Sequence, residues 1–260
     1  ISDYTSAIKL DPDNATYYNN RGLAYDNLEE YRSAISDYTS AIKLDPDDAA
    51  AYYYRGVAYL NLEDFRSAIS DYTSAIKLDP DDAAAYYNRG LAYANLEEYR
   101  STISDCTSAI RLDPDDADCY NNRGLAYVYL EEYRSAISDY TSAIKLDPDN
   151  AFYYYNRGLV YSELEEYRSA ISDCTSAIKL DPDFTLAYIR RGAVYVYLEE
   201  YRSAISDYTS AIKLDPADAS AYFLRGLAKG GVGLPYCSDY KKACDLGNDT
   251  SCEWYYNQCR

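Results

Sequence analysis

The stretch ISDYTSAIKLDP, residues 35–46, decides the fold because the chain repeats it at a fixed spacing. Unchanged copies begin at Ile1, Ile69, Ile137 and Ile205, and near copies begin at Ile103 and Ile171. An Arg-Gly pair follows the same 34-residue period, at Arg21, Arg55, Arg89, Arg123, Arg157, Arg191 and Arg225. Self-similarity at a period of this size is typical of a repeat architecture.

Each unit is predicted to form two α-helices, over residues 15–28 and 31–44 in the first complete copy. The first helix has a stripe at helical spacing, formed by Tyr18, Gly22, Tyr25 and Leu28. The second has a similar stripe, formed by Tyr31, Ala34, Ile35, Tyr38, Ala41 and Ile42. Asp45-Pro46 ends the second helix, because proline lacks an N–H and disfavours a helical residue before it. Asp47 or Asp48 is the expected N-cap of the next helix.

These residues resemble the tetratricopeptide repeat over almost the whole chain. The matching positions are Tyr18, Gly22, Tyr25, Ala34, Tyr38, Ala41 and Pro46, with arginine before the glycine where the family usually has leucine. The resemblance implies an all-α fold, a right-handed superhelical solenoid of stacked antiparallel helix hairpins, with the first helices lining the inner face. A hairpin cannot bury its own apolar stripe, so neighbouring hairpins must cover it.

The chain is expected to have three parts. Residues 1–14 hold the second helix of an incomplete unit, residues 15–218 hold six consecutive units, and residues 219–260 hold a degenerate unit with a final capping helix at about 251–260. GGVGLPY, residues 230–236, replaces the usual link and is two residues shorter. The chain also begins without methionine, which is typical of a processed product or a fragment.

Four of the seven cysteines lie in the last hairpin. Two antiparallel helices that meet near residue 248 place Cys244 opposite Cys252 and Cys237 opposite Cys259, which favours this nested connectivity among the three possible ones. Buried thiols and a zinc site are the alternatives, although a Cys-x2–4-Cys spacing and histidine are both missing. The stretch KACDLGNDTSC, residues 242–252, also resembles Sel1-like repeats, which implies a hairpin stapled by a disulfide.

Cys106 and Cys119 lie on successive helices and form a further candidate disulfide, whereas Cys174 replaces a tyrosine of the repeat. Disulfides predict an oxidising compartment, and therefore an extracellular or otherwise secreted protein. Asn14 and Asn248 each begin an N-glycosylation sequon, which is compatible with secretion.

Composition argues against several functions. A net charge of −18 disfavours nucleic acids and anionic membranes as partners, and no apolar run has the ~18 residues of a membrane span. Histidine is absent, and the sequence contains no nucleophile elbow, phosphate loop or calcium loop. We therefore expect no enzyme activity, no cofactor, no metal site and no membrane insertion.

Two sets of repeated residues stand out beyond the core. The arginines before glycine could bind anions, but an ion pair with the Asp37 column is the favoured interpretation. The candidate binding groove is the column Asn19, Tyr53, Tyr87, Asn121, Tyr155, Ile189 and Phe223 on the first helices. Thirty-five tyrosines exceed what packing between repeats requires, and tyrosine is enriched at interfaces.

The sequence favours an extracellular structural protein that associates head to tail with copies of itself into a filament. The expected contact residues are Ile1, Tyr4 and Ile8 at one end and Trp254, Tyr255 and Tyr256 at the other. Such a heterologous contact propagates unless its rotation closes a ring. The alternative is a monomeric adaptor that binds a peptide or helix in the aromatic groove.

Overall fold

The computed structural model describes residues 1–259, in which every regular element is an α-helix. The chain divides into two compact units, residues 1–132 and residues 133 onward. The helices of the first unit are α1 (Ser2–Leu10), α2 (Ala15–Asp26), α3 (Tyr31–Leu44), α4 (Ala49–Asn61), α5 (Phe65–Leu78), α6 (Ala83–Asn95), α7 (Tyr99–Leu112) and α8 (Ala117–Tyr129). Those of the second unit are α9 (Tyr133–Leu146), α10 (Ala151–Glu163), α11 (Tyr167–Leu180), α12 (Thr185–Tyr197), α13 (Tyr201–Leu214), α14 (Ala219–Gly231), α15 (Cys237–Asp245) and α16 (Asp249–Gln258).

Side-chain caps start the first helix of most repeats. The Oδ1 atom of Asp48 accepts hydrogen bonds from the backbone N–H groups of Ala50 and Ala51, at 3.0 and 3.3 Å. Asp82 and Asp116 cap α6 and α8 in the same way. The cap is therefore the last aspartate of the Asp-Pro-Asp-Asp loop, because its side-chain oxygen can reach donors that the helix leaves unpaired.

The first helix of each repeat is shorter than the sequence predicts. α2 ends at Asp26 rather than Leu28, because Glu29 adopts a left-handed conformation with φ 59°. The N–H of Glu30 then donates to the carbonyl of Tyr25 at 2.9 Å, which closes the helix end. The final helix also differs from the expected 251–260, since it spans Asp249–Gln258; Arg260 lies outside the described residues.

The apolar stripe of α3 is buried both within its hairpin and against the next one, whereas Leu28, at the end of the predicted α2 stripe, is 59% exposed. Ala34 and Tyr38 of α3 are fully buried, and they form one cluster with Ala58 of α4. The ring of Tyr38 also lies against Gly22 of α2, where a methyl group would come within 2.7 Å of it. The same arrangement recurs at Ala68, Tyr72 and Ala92. Within each unit the hairpins thus stack as a solenoid, because each covers a stripe that its neighbour exposes.

The repeated arginines form structural ion pairs, which confirms the interpretation favoured from the sequence. The guanidinium of Arg55 donates to both carboxylate oxygens of Asp71, at 2.7 and 2.8 Å, and to the hydroxyl of Thr39 at 2.9 Å. It also lies 5.7 Å from the ring centre of Tyr52. Hydrogen bonding to Asp71 is the main cause of the raised pKa of Arg55. One arginine therefore ties three successive helices, α3, α4 and α5, together.

The last hairpin contains two disulfides, with the nested pairing that the sequence predicts. The Cys237–Cys259 and Cys244–Cys252 sulfur atoms are each 1.97 Å apart. The predicted disulfide between Cys106 and Cys119 is wrong, because both residues are buried thiols. The thiol of Cys119 donates a hydrogen bond to the carboxylate of Asp116, the N-cap residue of α8, at 3.1 Å. The sulfur of Cys106 instead faces Gly90.

Candidate functional site

The predicted groove column is largely occupied by contacts within the first unit. The hydroxyl of Tyr53 accepts a hydrogen bond from Asn88, and that of Tyr87 accepts one from Asn122, each at 3.1 Å. The Tyr53 ring also lies 5.9 Å from the buried ring of Tyr72. Asn19 donates to Asp48, and Asn121 is half-buried. These polar contacts join successive repeats.

The same column in the second unit also packs within the chain. The ring of Tyr155 lies 4.9 Å from that of Phe184, and Ile189 packs against the core around Tyr208. Phe223 contacts Tyr240 and Trp254, at ring distances of 5.8 and 6.2 Å. The residues of the column are half-buried throughout. Their role in binding a partner therefore stays a prediction, although their role in packing is clear.

An open pocket lies beside this column in the first unit. It has a volume of about 370 Å³ and lies between α6, α7 and α8. We call it the α6–α8 pocket, and its lining residues are Leu91, Ala94, Asn95, Glu97, Tyr99, Asn122, Leu125, Ala126 and Tyr129. Leu125 and Tyr129 are 41% and 59% exposed, so the pocket presents apolar surface to solvent.

Two stacked tyrosines form one wall of the α6–α8 pocket. The rings of Tyr99 and Tyr129 are 4.4 Å apart and within 5° of parallel. Tyr99 begins α7 and Tyr129 ends α8, so the wall joins two successive repeats. The leucine side chains of α6 and α8 provide an apolar floor beside this rigid aromatic surface. Such a surface can bind an apolar side chain with little loss of its own conformational freedom.

The polar groups at the pocket favour a ligand that carries hydrogen-bond donors. Of the described residues that line it, Glu97 is the acidic one and none is basic. Asn122 uses its N–H2 group to donate to Tyr87, which leaves its carbonyl oxygen as an acceptor. Among residues 1–259 no cluster of Cys, Asp and Glu is arranged to hold a metal ion.

Most residues of this pocket lie outside the column that the sequence predicts as the groove. That column lies on the first helices, whereas Tyr99 belongs to a second helix and Tyr129 ends a first helix. Tyr129 occupies a repeat position that holds asparagine in three earlier copies, Asn27, Asn61 and Asn95. That break in the repeat is the signal that could have drawn attention to the site.

A stack of helix hairpins with a half-exposed apolar pocket defines a repeat scaffold for protein–protein interaction. More specifically, the chain belongs to the tetratricopeptide repeat (TPR) family. A family model described as tetratricopeptide repeat matches residues 15–48, 49–82, 83–116 and 151–184. A second model, described as TPR repeat, matches residues 1–28, 124–165 and 192–233. These matches end before the last hairpin, so its resemblance to Sel1-like repeats is not confirmed.

Solved structures of other TPR proteins are similar to this chain. YrrB, described as a TPR protein with an unusual peptide-binding site, is 25% identical over 71% of this chain and 95% of its own, with a TM-score of 0.64. MamA is 27% identical over 64% of this chain and 96% of its own, with a TM-score of 0.61. A TPR protein from Parabacteroides merdae covers 93% of this chain and 97% of its own at 18% identity, with a TM-score of 0.69, and shows the fold alone. Among curated proteins no match is found.

Proposed function

We propose that this protein is a non-catalytic scaffold that binds a segment of a partner protein at the α6–α8 pocket. The observation that carries the proposal is the preformed pocket of about 370 Å³ with the half-exposed side chains of Leu125 and Tyr129 at its surface. A cavity of this size accepts one large apolar side chain of a peptide or helix. Peptide binding by the structurally similar YrrB, as described for that protein, supports the same class of ligand.

The preferred segment is an apolar anchor flanked by basic residues. Leucine and tyrosine side chains surround the space for the anchor, and burying it there removes apolar surface from water. Glu97 lies at the pocket, and the chain carries a net charge of −18. A lysine or arginine beside the anchor would therefore be attracted to the site, and an acidic segment would be repelled.

Selection from a displayed peptide library tests this proposal. We expect peptides that combine Leu, Phe or Trp with neighbouring Lys or Arg. Their affinity for Leu125→Asp should fall at least ~10-fold, because the substitution places a carboxylate in the apolar floor, and tenfold corresponds to about 1.4 kcal/mol.

Leu186→Asp is the matched control, since Leu186 is also on a first helix and is 54% exposed, but it lies in the second unit. Its affinity for the selected peptides should equal that of the unmodified chain. Peptides that bind Leu125→Asp as tightly as the unmodified chain would place the binding surface elsewhere and contradict the proposal.

We propose head-to-tail association as a second candidate function, in which the scaffold assembles into a filament. Two observations support it. α1 has no buried residue, with Ile1 38% exposed and Tyr4 and Ile8 half-buried. On α16, Tyr256 is 53% exposed and Tyr255 is half-buried. Trp254 is a weaker contact candidate, because its ring packs against Phe223 and Tyr240.

Sedimentation velocity and electron microscopy test this association. The sedimentation coefficient should rise with protein concentration, and micrographs should show filaments. Tyr256→Asp should abolish both effects, whereas Phe152→Asp, at a side chain that is 59% exposed on α10, should leave them unchanged. A single monomeric species at all concentrations would rule the filament out.

We propose an oxidising, extracellular compartment for the protein. The two disulfides of the last hairpin support this, because cytosolic reductants keep most thiols reduced. None of the helices in residues 1–259 combines the length and apolar character needed to cross a bilayer. Asn14 and Asn248 both cap helices through their side-chain oxygen. Their glycosylation remains a prediction.

A further inference from the structure

We infer that two stacked tyrosine pairs, Tyr99–Tyr129 and Tyr167–Tyr197, are sites of oxidative cross-linking to dityrosine. The Tyr99 and Tyr129 rings are 4.4 Å apart with an interplanar angle of 5°. The Tyr167 and Tyr197 rings are 5.5 Å apart with an angle of 7°. Tyr129 and Tyr197 are also 59% and 69% exposed, so a soluble oxidant can reach both pairs.

The two pairs occupy the same place in the repeat. In each, the first tyrosine begins a second helix and its partner ends the first helix of the next repeat, 30 residues later. A direct contact shows that these positions meet elsewhere as well. At Gly231, a methyl group would come within 2.8 Å of the Tyr201 ring. The stacking is therefore a consequence of the fold wherever both positions hold tyrosine.

Other repeats lack a second tyrosine at this place. Position 61, which corresponds to Tyr129, holds asparagine although Tyr31 precedes it in the matching position. In the next pair of repeats the earlier position holds Phe65 and the later one holds Asn95. In the pair that begins with Tyr133, the later position holds Glu163. The chain thus contains matched positions with and without the pair, which makes the inference testable by substitution.

The chemistry requires a one-electron oxidant such as a haem peroxidase with hydrogen peroxide. Each phenol loses one electron and one proton and becomes a phenoxyl radical. The two radicals join through a carbon–carbon bond between their ortho ring carbons, and the rings regain aromaticity by moving the ortho hydrogens to the oxygens. Overall, two tyrosines and one hydrogen peroxide give one dityrosine and two waters.

Geometry separates these pairs from other neighbouring tyrosines. Tyr53 and Tyr54 are nearly perpendicular, with an angle of 77°. Tyr38 and Tyr54 are closer to parallel, at 22°, but Tyr38 is fully buried. Nearly parallel, stacked rings with an exposed member can bring their ortho carbons together by a small sliding movement. A link at either place would join two successive repeats covalently, and the Tyr99–Tyr129 link would also fix a wall of the α6–α8 pocket.

Peroxidase treatment of the dilute full chain, followed by tryptic digestion and mass spectrometry, tests the inference. We expect linked peptides 90–100 with 124–134 and 158–168 with 192–202, with the first pair more abundant because its rings are closer. Tyr129→Phe should remove the first linked peptide and Tyr197→Phe the second. Each variant should retain the other link, which shows that it is folded and accessible to the oxidant.

Asn61→Tyr supplies the opposite test, because it should create a new stacked pair with Tyr31. A new link between peptides 22–32 and 56–66 is expected, and Tyr31→Phe in the same chain should abolish it. Intrachain links spread over exposed tyrosines without enrichment of the two native pairs would overturn the inference. Detection of the link between peptides 90–100 and 124–134 in the Tyr129→Phe variant would also overturn the inference.

Discussion

The glycine at the eighth position of the repeat packs against the second helix of the same hairpin. The residue that it faces there is tyrosine in some copies and cysteine in others. A methyl group on Gly56 would come within 2.9 Å of the buried Tyr72 ring. On Gly90 the nearest atoms would be the Cβ of Asp105 at 3.4 Å and the sulfur of Cys106 at 3.5 Å. The requirement for glycine therefore depends on whether tyrosine or cysteine occupies the facing position of the second helix.

We expect Gly56→Ala to lower the free energy of unfolding by about 2 kcal/mol, since a ring at full burial has no free space to move into. The midpoint of chemical denaturation measures this change.

Gly90→Ala is the matched control, because its added methyl group makes an ordinary van der Waals contact. It should leave the free energy unchanged or raise it by up to ~1 kcal/mol, the difference in helix propensity between alanine and glycine. Equal destabilisation by the two substitutions would contradict the assigned role of the tyrosine ring.

At the scale of the helix, a residue in the left-handed conformation follows the end of each first helix from α2 to α14 by two or three residues. In six repeats this residue is glutamate: Glu29, Glu63, Glu97, Glu131, Glu165 and Glu199, with φ between 58° and 60°. In the seventh repeat the corresponding residue is Gly233, with φ 69° and an equivalent hydrogen bond from Leu234 to Lys229. The helix end thus retains its geometry with either residue, although glycine adopts it without a steric cost.

Glu63→Gly should therefore be more stable than Glu63→Gln by about 1 kcal/mol. The glutamine variant removes the same charge and keeps the side chain, so the comparison isolates the backbone strain. Thermal unfolding of the two variants side by side measures the difference. A glutamine variant as stable as the glycine variant would show that the left-handed residue carries no measurable strain.

At the scale of the whole molecule, stability is distributed over contacts between neighbouring hairpins. Stacked repeats behave nearly as a one-dimensional array, in which each hairpin is stabilised by its own contacts and those of its neighbours. The last hairpin, α15 and α16, differs because two disulfides also hold it.

Cys244→Ser combined with Cys252→Ser should weaken this hairpin locally. In the chain-entropy model the loop of this disulfide contributes about 2.5 kcal/mol. Hydrogen exchange of α15 and α16 should accelerate accordingly, while α2 to α7 keep their protection. Cys174→Ser, at a buried thiol outside the hairpin, should not accelerate exchange in α15 and α16. Loss of protection throughout the chain would contradict the local model.

Alkylation counts check the cysteine pairing independently. In the unfolded, unreduced chain three cysteines should react, and after reduction all seven should. In the native chain Cys174 should react slowly, because burial raises the pKa of its thiol to about 12 and so suppresses the reactive thiolate.

Local rules explain why so much of the fold was predictable. Arg55 and Asp71, sixteen residues apart, meet because the length of the hairpin fixes their relation, and in the hairpin that is two residues shorter Arg225 meets Asp239, fourteen residues away. Cys106 and Cys119 were predicted wrongly because their pairing depends on which way each side chain points, and spacing alone does not specify that. Tyr53 and Tyr87 were predicted to line a binding groove; their hydroxyls accept hydrogen bonds from asparagines of the next repeat, a packing contact that the column alone does not reveal.

The sequence by itself determined the repeat, the class of fold, the arginine–aspartate pairs and the nested cysteines of the last hairpin. Each of these follows from periodicity along one or two helices, where distance in sequence translates directly into distance in space. Only the tertiary structure decided where an open pocket forms and which tyrosines stack. Those features bring together side chains from two or three helices of successive repeats, and their contact depends on how one hairpin packs against the next.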